Sequence, residues 1–129
     1  MALVIDLKPN EKILIGDAVI TNDAQRTRLH ISGDTPILRE KDVMKEENAD
    51  TPCKRAYFLI QCMYMARNPN TYHEKYFALI KEIQHAAPKL SFIFLSINEK
   101  IIEGNYYKAM KEARELIELE KDLIENVTR

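Results

Sequence analysis

The chain has little glycine and little cysteine, no tryptophan, and almost no net charge. Three glycines in 129 residues leave no room for a glycine-rich phosphate loop. Two cysteines, Cys53 and Cys62, stand nine positions apart, two and a half helical turns, and so face different ways. A disulfide within one helix is excluded, and two buried thiols are expected. A formal charge of −1, with 30% charged residues, gives no global field toward nucleic acid or an anionic membrane; such binding needs a local patch. The apolar run "FIFL" is far too short to span a bilayer, and "MALVIDLKPNEK" lacks the layout of a signal peptide, so a cytoplasmic protein without membrane contact is expected. No HExxH, CxxC or EF-hand pattern occurs, and His73 and His85 lie over three turns apart. Ser32-Gly33 lacks the surroundings of a nucleophile elbow, and the helical carboxylates read as solvated faces. No enzyme, metal or cofactor is expected.

What is present divides in two. Hydrophobic residues make up 46% of the chain, enough for a core without disulfides. The first forty residues carry five short strand-like segments: "ALVIDL", "KILI", "AVIT", "RTRLHI" and "ILRE". Pro9-Asn10, Gly16-Asp17, Asn22-Asp23 and "SGDTP" break them. This predicts a meander or small barrel-like sheet, too small to bury much alone. In "RTRLHI", Arg26, Arg28 and His30 alternate with Thr27, Leu29 and Ile31, which predicts a half-solvated strand with a basic outer row.

After the charged joint "KEENAD" the pattern turns helical. Thr51-Pro52 reads as an N-cap and first turn. Asn68-Pro69-Asn70 stops that helix. Thr71 and Glu74 have capping-box spacing for the next. Pro88 opens a third segment ending at Gly104, and a fourth runs from Asn105 to about Val127. The expectation is an α+β protein: a small N-terminal antiparallel β domain, residues 1–45, then a four-helix domain, residues 46–129. Tyr106 and Tyr107 are adjacent and cannot both face one core, so one is a candidate for an interface.

The candidate binding residues are basic and lie in the first part. Its cations are matched by as many acids, so position decides. Arg26 and Arg28 are expected on one side of a single strand, and Arg39 ends the last one. Arginine forks suit phosphates and base edges and stack on exposed bases. The plainer alternative pairs these arginines with Asp17, Asp34 or Glu40 on a charged surface.

Three stretches carry a resemblance: "LVIDLKPNEKILIGDAVI", "ILREKDVMKEENADTPCKRAYFLIQCMY" and "EGNYYKAMKEARELI". Together they cover most of the chain, in order, and resemble the FlbT family of flagellar biosynthesis regulators. The resemblance implies action after transcription: binding the flagellin messenger RNA leader to control translation or transcript lifetime, with promotion of expression in some members. Locally, "NEKILIGDAVIT" and "ILREKDV" resemble the first and last strands of the CsrA family of RNA-binding translational repressors. That similarity implies a dimer of five-stranded units, with Arg39 at the key arginine of the last strand and Lys8 at a basic residue after the first. The chain departs from the pattern at Leu7, where CsrA has another arginine, and at Asp6 before it.

The residues and the resemblances together lead to the expectation of a non-enzymatic post-transcriptional regulator of flagellin synthesis, a translation repressor or an activator, that binds the flagellin mRNA leader and controls its translation or stability. Arg39, Lys8, Arg26 and Arg28 would touch the RNA, and the chain would form a dimer or higher homo-oligomer. The alternative is a protein-interaction module in flagellar assembly or flagellin export control, working through the helical face around Tyr107, with a flagellar regulatory or export protein as partner.

Overall fold

A computed structural model describes residues 2–128, and the side chains of 3–125. The chain forms two compact units, Met1–Val43 and Met44–Arg129. The first holds all five strands and a short 3₁₀ turn, Glu40–Asp42, and the second holds the four α-helices, so the protein is α+β as its patterning predicts.

The β unit contains β1 (Ala2–Leu7), β2 (Lys12–Ile15), β3 (Ala18–Thr21), β4 (Thr27–Ser32) and β5 (Ile37–Arg39). They do not form a simple meander. β1 pairs with β4, and β2 lies between β3 and β5, all antiparallel. Only β2 and β3 are both sequence neighbours and sheet neighbours. Their hairpin turns at Gly16-Asp17, with Gly16 at φ 59. A two-residue loop needs a left-handed first residue in its type II′ form, which glycine supplies without strain. The glycine is needed a second time: a Cβ there would lie 2.9 Å from Thr35 Cγ2, and its N–H donates to Pro36 O at 2.9 Å. Side-chain alternation sends Ile5 and Leu7 of β1 and Ile13 of β2 inward, where Ile15, Leu29, Ile31 and Ile37 pack around them. That core is small because the strands are short.

The helical unit contains α1 (Pro52–Met65), α2 (His73–Ala86), α3 (Ser91–Ile102) and α4 (Tyr106–Thr128). Thr51 caps α1 as its sequence predicts, its side chain accepting from Lys54 N at 3.2 Å. The expected capping box of Thr71 and Glu74 does not form. A 3₁₀ turn, Pro69–Tyr72, runs directly into α2 and takes Thr71 into itself, leaving α2 without a side-chain cap. Gly104 does end α3, at φ 80. Its N–H donates to Ile101 O at 3.0 Å and that of Asn105 to Lys100 O at 2.8 Å, the paired bonds of a Schellman ending.

α4 packs on both α1 and α3, and α1 also packs on α2. Cross-helix contacts fix α4 antiparallel to α1: Thr51 meets Glu120, Arg114 lies over the Tyr57 ring, and Tyr64 stacks on Tyr107. All four helices contribute fully buried side chains, among them Ile60, Met63, Tyr76, Phe94, Ile97, Ile101 and Leu116. Tyr76 is buried but satisfied, its hydroxyl donating to Asn98 Oδ1 at 2.9 Å. No described helix is long and apolar enough to cross a membrane.

Candidate nucleic-acid interface

Strand direction sorts the charges of the β unit. β1 and β3 run toward one end of the unit, β2 and β4 leave from it, and β5 returns to it. At that end two turns are tied together. Lys8-Pro9-Asn10-Glu11 is a tight turn closed by Glu11 N donating to Lys8 O at 3.1 Å, with Asn10 at φ 65. Proline second and a left-handed asparagine third is the pattern of a type II turn. The Asn22 amide nitrogen then donates to Leu7 O, Lys8 O and Gln25 O at 3.2, 2.9 and 2.8 Å. One asparagine thus pins the β3–β4 loop to the β1–β2 turn.

All the lysines and arginines of the β unit collect at this end: Lys8, Lys12, Arg26, Arg28, Arg39 and Lys41. The opposite end, formed by Gly16-Asp17 and by Gly33 to Pro36, carries only Asp17 and Asp34. The basic end also holds Asp6, Glu11, Asp23, Glu40 and Asp42, so its excess of positive charge is small, while the opposite end is purely acidic.

The individual placements differ from the pattern in the sequence. β4 begins at Thr27, so Arg26 lies one residue before it, though the alternation of exposed and half-buried positions runs back through it. Continuing the β1–β4 register by one residue sets Arg26 across from Lys8. The rest of β4 alternates as expected, with Arg28, His30 and Ser32 outward. Arg28 lies directly across from Asp6, and its Nε donates to Asp6 Oδ1 at 3.1 Å, with both side chains more than half exposed. Asp6, which departs from the CsrA pattern, is thus the recorded partner of Arg28 here, and Asp17 and Asp34 sit at the other end. Arg39 pairs across from Ile13 in the other sheet, at the same end and half-buried. Sequence reading missed Lys12, which opens β2 beside the basic turn, and Asn22, which orders it; strand direction, rather than any motif, brings them in.

The helical unit offers a cavity of about 320 Å³ between the start of α1, the end of α2 and α4. Cys53, Ile83, Leu90 and Leu123 line it, with Glu82 and Glu120 as its charged groups. Glu120 is engaged: its carboxylate accepts from Cys53 N at 3.0 Å and from the Thr51 hydroxyl, capping α1 from across the bundle. Burial first, and then Glu120, push the Cys53 thiol up to about 12, so it is not an activated nucleophile. Cys62, expected buried, is only half-buried. No cluster of metal-ligating side chains occurs among the described residues. Tyr106 and Tyr107 divide as expected: the Tyr106 hydroxyl lies 3.0 Å from His73 Nε2, while Tyr107 remains exposed, stacked on Tyr64 at 5.5 Å with Lys111 over its ring.

The geometry defines a small α+β protein whose ordered feature for a charged ligand is a basic, turn-built end of a β unit. The chain belongs to the FlbT family: the family model described as "Flagellar protein FlbT" matches residues 3–124. It is 46% identical over 124 residues to a probable flagellum biosynthesis repressor protein FlbT 1 of Bradyrhizobium diazoefficiens, covering 95% of this chain and 85% of that one. It is 44% identical to a probable flagellum biosynthesis repressor protein FlbT of Rhodopseudomonas palustris, covering 96% and 98%. It is 29% identical to the flagellum biosynthesis repressor protein FlbT of Caulobacter vibrioides, covering 99% and 93%. No solved structure matches the chain.

Proposed function

We propose that the protein is a post-transcriptional regulator that represses flagellin synthesis. It binds the 5′ leader of the flagellin messenger RNA in the cytoplasm and lowers its translation or lifetime, working as a homo-oligomer. Relatives that match nearly the whole chain are named flagellum biosynthesis repressors, which supports the regulatory role. The observation that carries the RNA reading is the gathering of every lysine and arginine of the β unit at one turn-ordered end. In this reading Lys8, Lys12 and Arg26 hold phosphates and set the register of the strand. Arg39, fixed by its strand and half-buried, reads a base edge or stacks on an unpaired base. Arg28 contributes in proportion to how far RNA phosphate displaces Asp6 from it.

The test is binding of the purified chain to its own flagellin leader RNA, with a scrambled RNA as control, at two salt concentrations. Arg39→Ala should cost about 1–3 kcal/mol on the leader and relax its preference over the scrambled RNA. Equal binding by both proteins would overturn the assignment.

The exposed Tyr107, stacked on Tyr64 beside Lys111, favours a second reading: a protein-interaction module in flagellar assembly or flagellin export control. It predicts that Tyr107→Ala abolishes regulation in cells while leader binding and the effect of Arg39→Ala are absent.

A further inference from the structure

α3 is apolar on two sides. Ile93, Phe94, Ile97 and Ile101 face the core and are buried. Phe92, Leu95 and Ile102 face away from it and are 67%, 68% and 78% exposed. With Glu99 between them, these three recur at spacings of three, four and three residues. That is the spacing by which one helix lies along another. Scattered exposed apolar residues are ordinary, but three large ones on one line of a 12-residue helix form a stripe, which the exposed Glu99 interrupts between Leu95 and Ile102.

We propose that this stripe is an interface between two copies of the chain, with the two α3 helices antiparallel about a two-fold axis. Inverting the helix onto itself brings Phe92 of one copy against Ile102 of the other at both ends, and sets Leu95 beside Glu99 and Ser96 of the second copy. The two ends of the stripe are thus self-complementary, as a two-fold interface requires, while the carboxylate of Glu99 opposite Leu95 is a cost that weakens the association. The charges beside it fit the same inversion. Lys89 precedes Phe92 by about one turn, and Glu103 directly follows Ile102. Both are exposed, and neither makes an ion pair among the described residues. Antiparallel pairing brings Lys89 near Glu103 of the second copy twice over, whereas parallel pairing would set like against like. Lys100 is already turned to Glu112 of its own α4, at 3.9 Å.

The size of the stripe sets the strength. At roughly 200 Å² for a fully exposed large side chain, the three residues offer roughly 400 Å² per copy. A standard stable interface buries about 800 Å² per partner. The flanking polar residues close part of that gap, so the dimer is a weak one that dissociates on dilution.

Sedimentation velocity of the full chain, without RNA, over a wide concentration series tests this. The expected result is a reversible monomer–dimer equilibrium. Leu95→Glu and Ile102→Glu should each raise the dissociation constant at least about tenfold, with unchanged helical circular dichroism. Lys89→Glu and Glu103→Lys should each weaken the dimer several-fold, and the double charge reversal should restore it. Exposed side chains are changed throughout, and restoration by a second change cannot come from misfolding. A chain that stays monomeric at its highest soluble concentration overturns the proposal. So does a dimer indifferent to Leu95→Glu and Ile102→Glu, as association through the β-strand edges would give, or a double reversal that fails to restore association.

Discussion

Asp6→Asn should strengthen RNA binding. Asp6 is the carboxylate 3.1 Å from Arg28 Nε, on the outer face of β1 at the basic end of the β unit. Both side chains are well exposed, at 59% and 66%, so their pair contributes little to folding, about 0–1 kcal/mol. Its effect on a phosphate ligand is larger in proportion. A phosphate drawn to Arg28 comes within about 6 Å of the carboxylate, where two like charges in water repel by roughly 0.7 kcal/mol. Replacing the carboxylate by an amide of the same shape removes that repulsion and releases Arg28 from its partner. Affinity for leader RNA should rise about two- to fivefold at low salt. The gain should shrink in 0.15 M salt, where the screening length falls to about 8 Å. The slope of log affinity against log salt should also steepen by about 0.7, one further phosphate neutralised on single-stranded RNA. Arg28→Ala in the same assay should weaken binding only slightly in the wild type, and by the whole gain in the Asp6→Asn background. Fluorescence anisotropy of a labelled leader across a salt series measures both quantities. Unchanged or weaker binding by Asp6→Asn, or an additive Arg28→Ala effect, would refute the placement of phosphate at this end.

Four further expectations concern the scaffold. Gly16→Ala combines a left-handed φ of 59 with a Cβ at 2.9 Å from Thr35 Cγ2, and should destabilise the β unit by about 1–3 kcal/mol, read from urea melts. Glu120→Ala leaves the buried Cys53 N–H without its acceptor and should cost the helical unit about 1–3 kcal/mol by thermal circular dichroism; Glu120→Gln should recover part of it. Because the Cys53 thiol ionises near 9.0 when unfolded and only at about 12 in the fold, its proton favours the folded state in full below pH 9. That contribution is lost as the pH rises toward 12, so the urea midpoint should fall over this window, and less steeply in Cys53→Ala. At pH 8 a thiol reagent should label the half-buried Cys62 first and Cys53 only on unfolding.

The parts legible in the sequence were those set by local chemistry. Thr51-Pro52 and Gly104 mark helix ends because caps use nearest neighbours, and both act as their identities demand. Gly16-Asp17 marks a hairpin for the same reason. Thr71 failed as a cap because a proline two residues earlier starts a 3₁₀ turn that overrides the side-chain option. Strand pairing was not legible: β1 with β4 and β5 with β2 are contacts across 15 or more residues, and no local signal encodes them. The binding candidates shared that fate. Arg26, Arg28 and Arg39 stand out by residue type, but their common end follows from pairing and strand direction. The Asp6–Arg28 pair needed the register. The exposed stripe of α3 was hidden because "SFIFLSINEKII" is apolar on both sides, so periodicity alone could not separate core from surface.

The near-zero net charge argues for an ordered site. A protein that held RNA by bulk field would carry an excess of cations over a broad surface, and its affinity would be high, steeply salt-dependent and indifferent to sequence. Here the β unit has as many acids as bases within one residue, and acids such as Asp6, Glu11 and Asp23 stand among the cations. A phosphate chain finds attraction only along paths that avoid those carboxylates. On the proposed RNA reading such a path needs the turns to hold their shape, and Asn22, which bonds three carbonyls, ties together the loops that carry Lys8 and Arg26. Glu11 also orders the turn, its carboxylate accepting from Lys8 N at 3.0 Å, while its charge remains and is one that a bound phosphate chain would have to avoid. Acids placed this way lower affinity for every RNA and lower it least for the one whose phosphates follow the cations. Interspersed charge thus converts a modest attraction into discrimination.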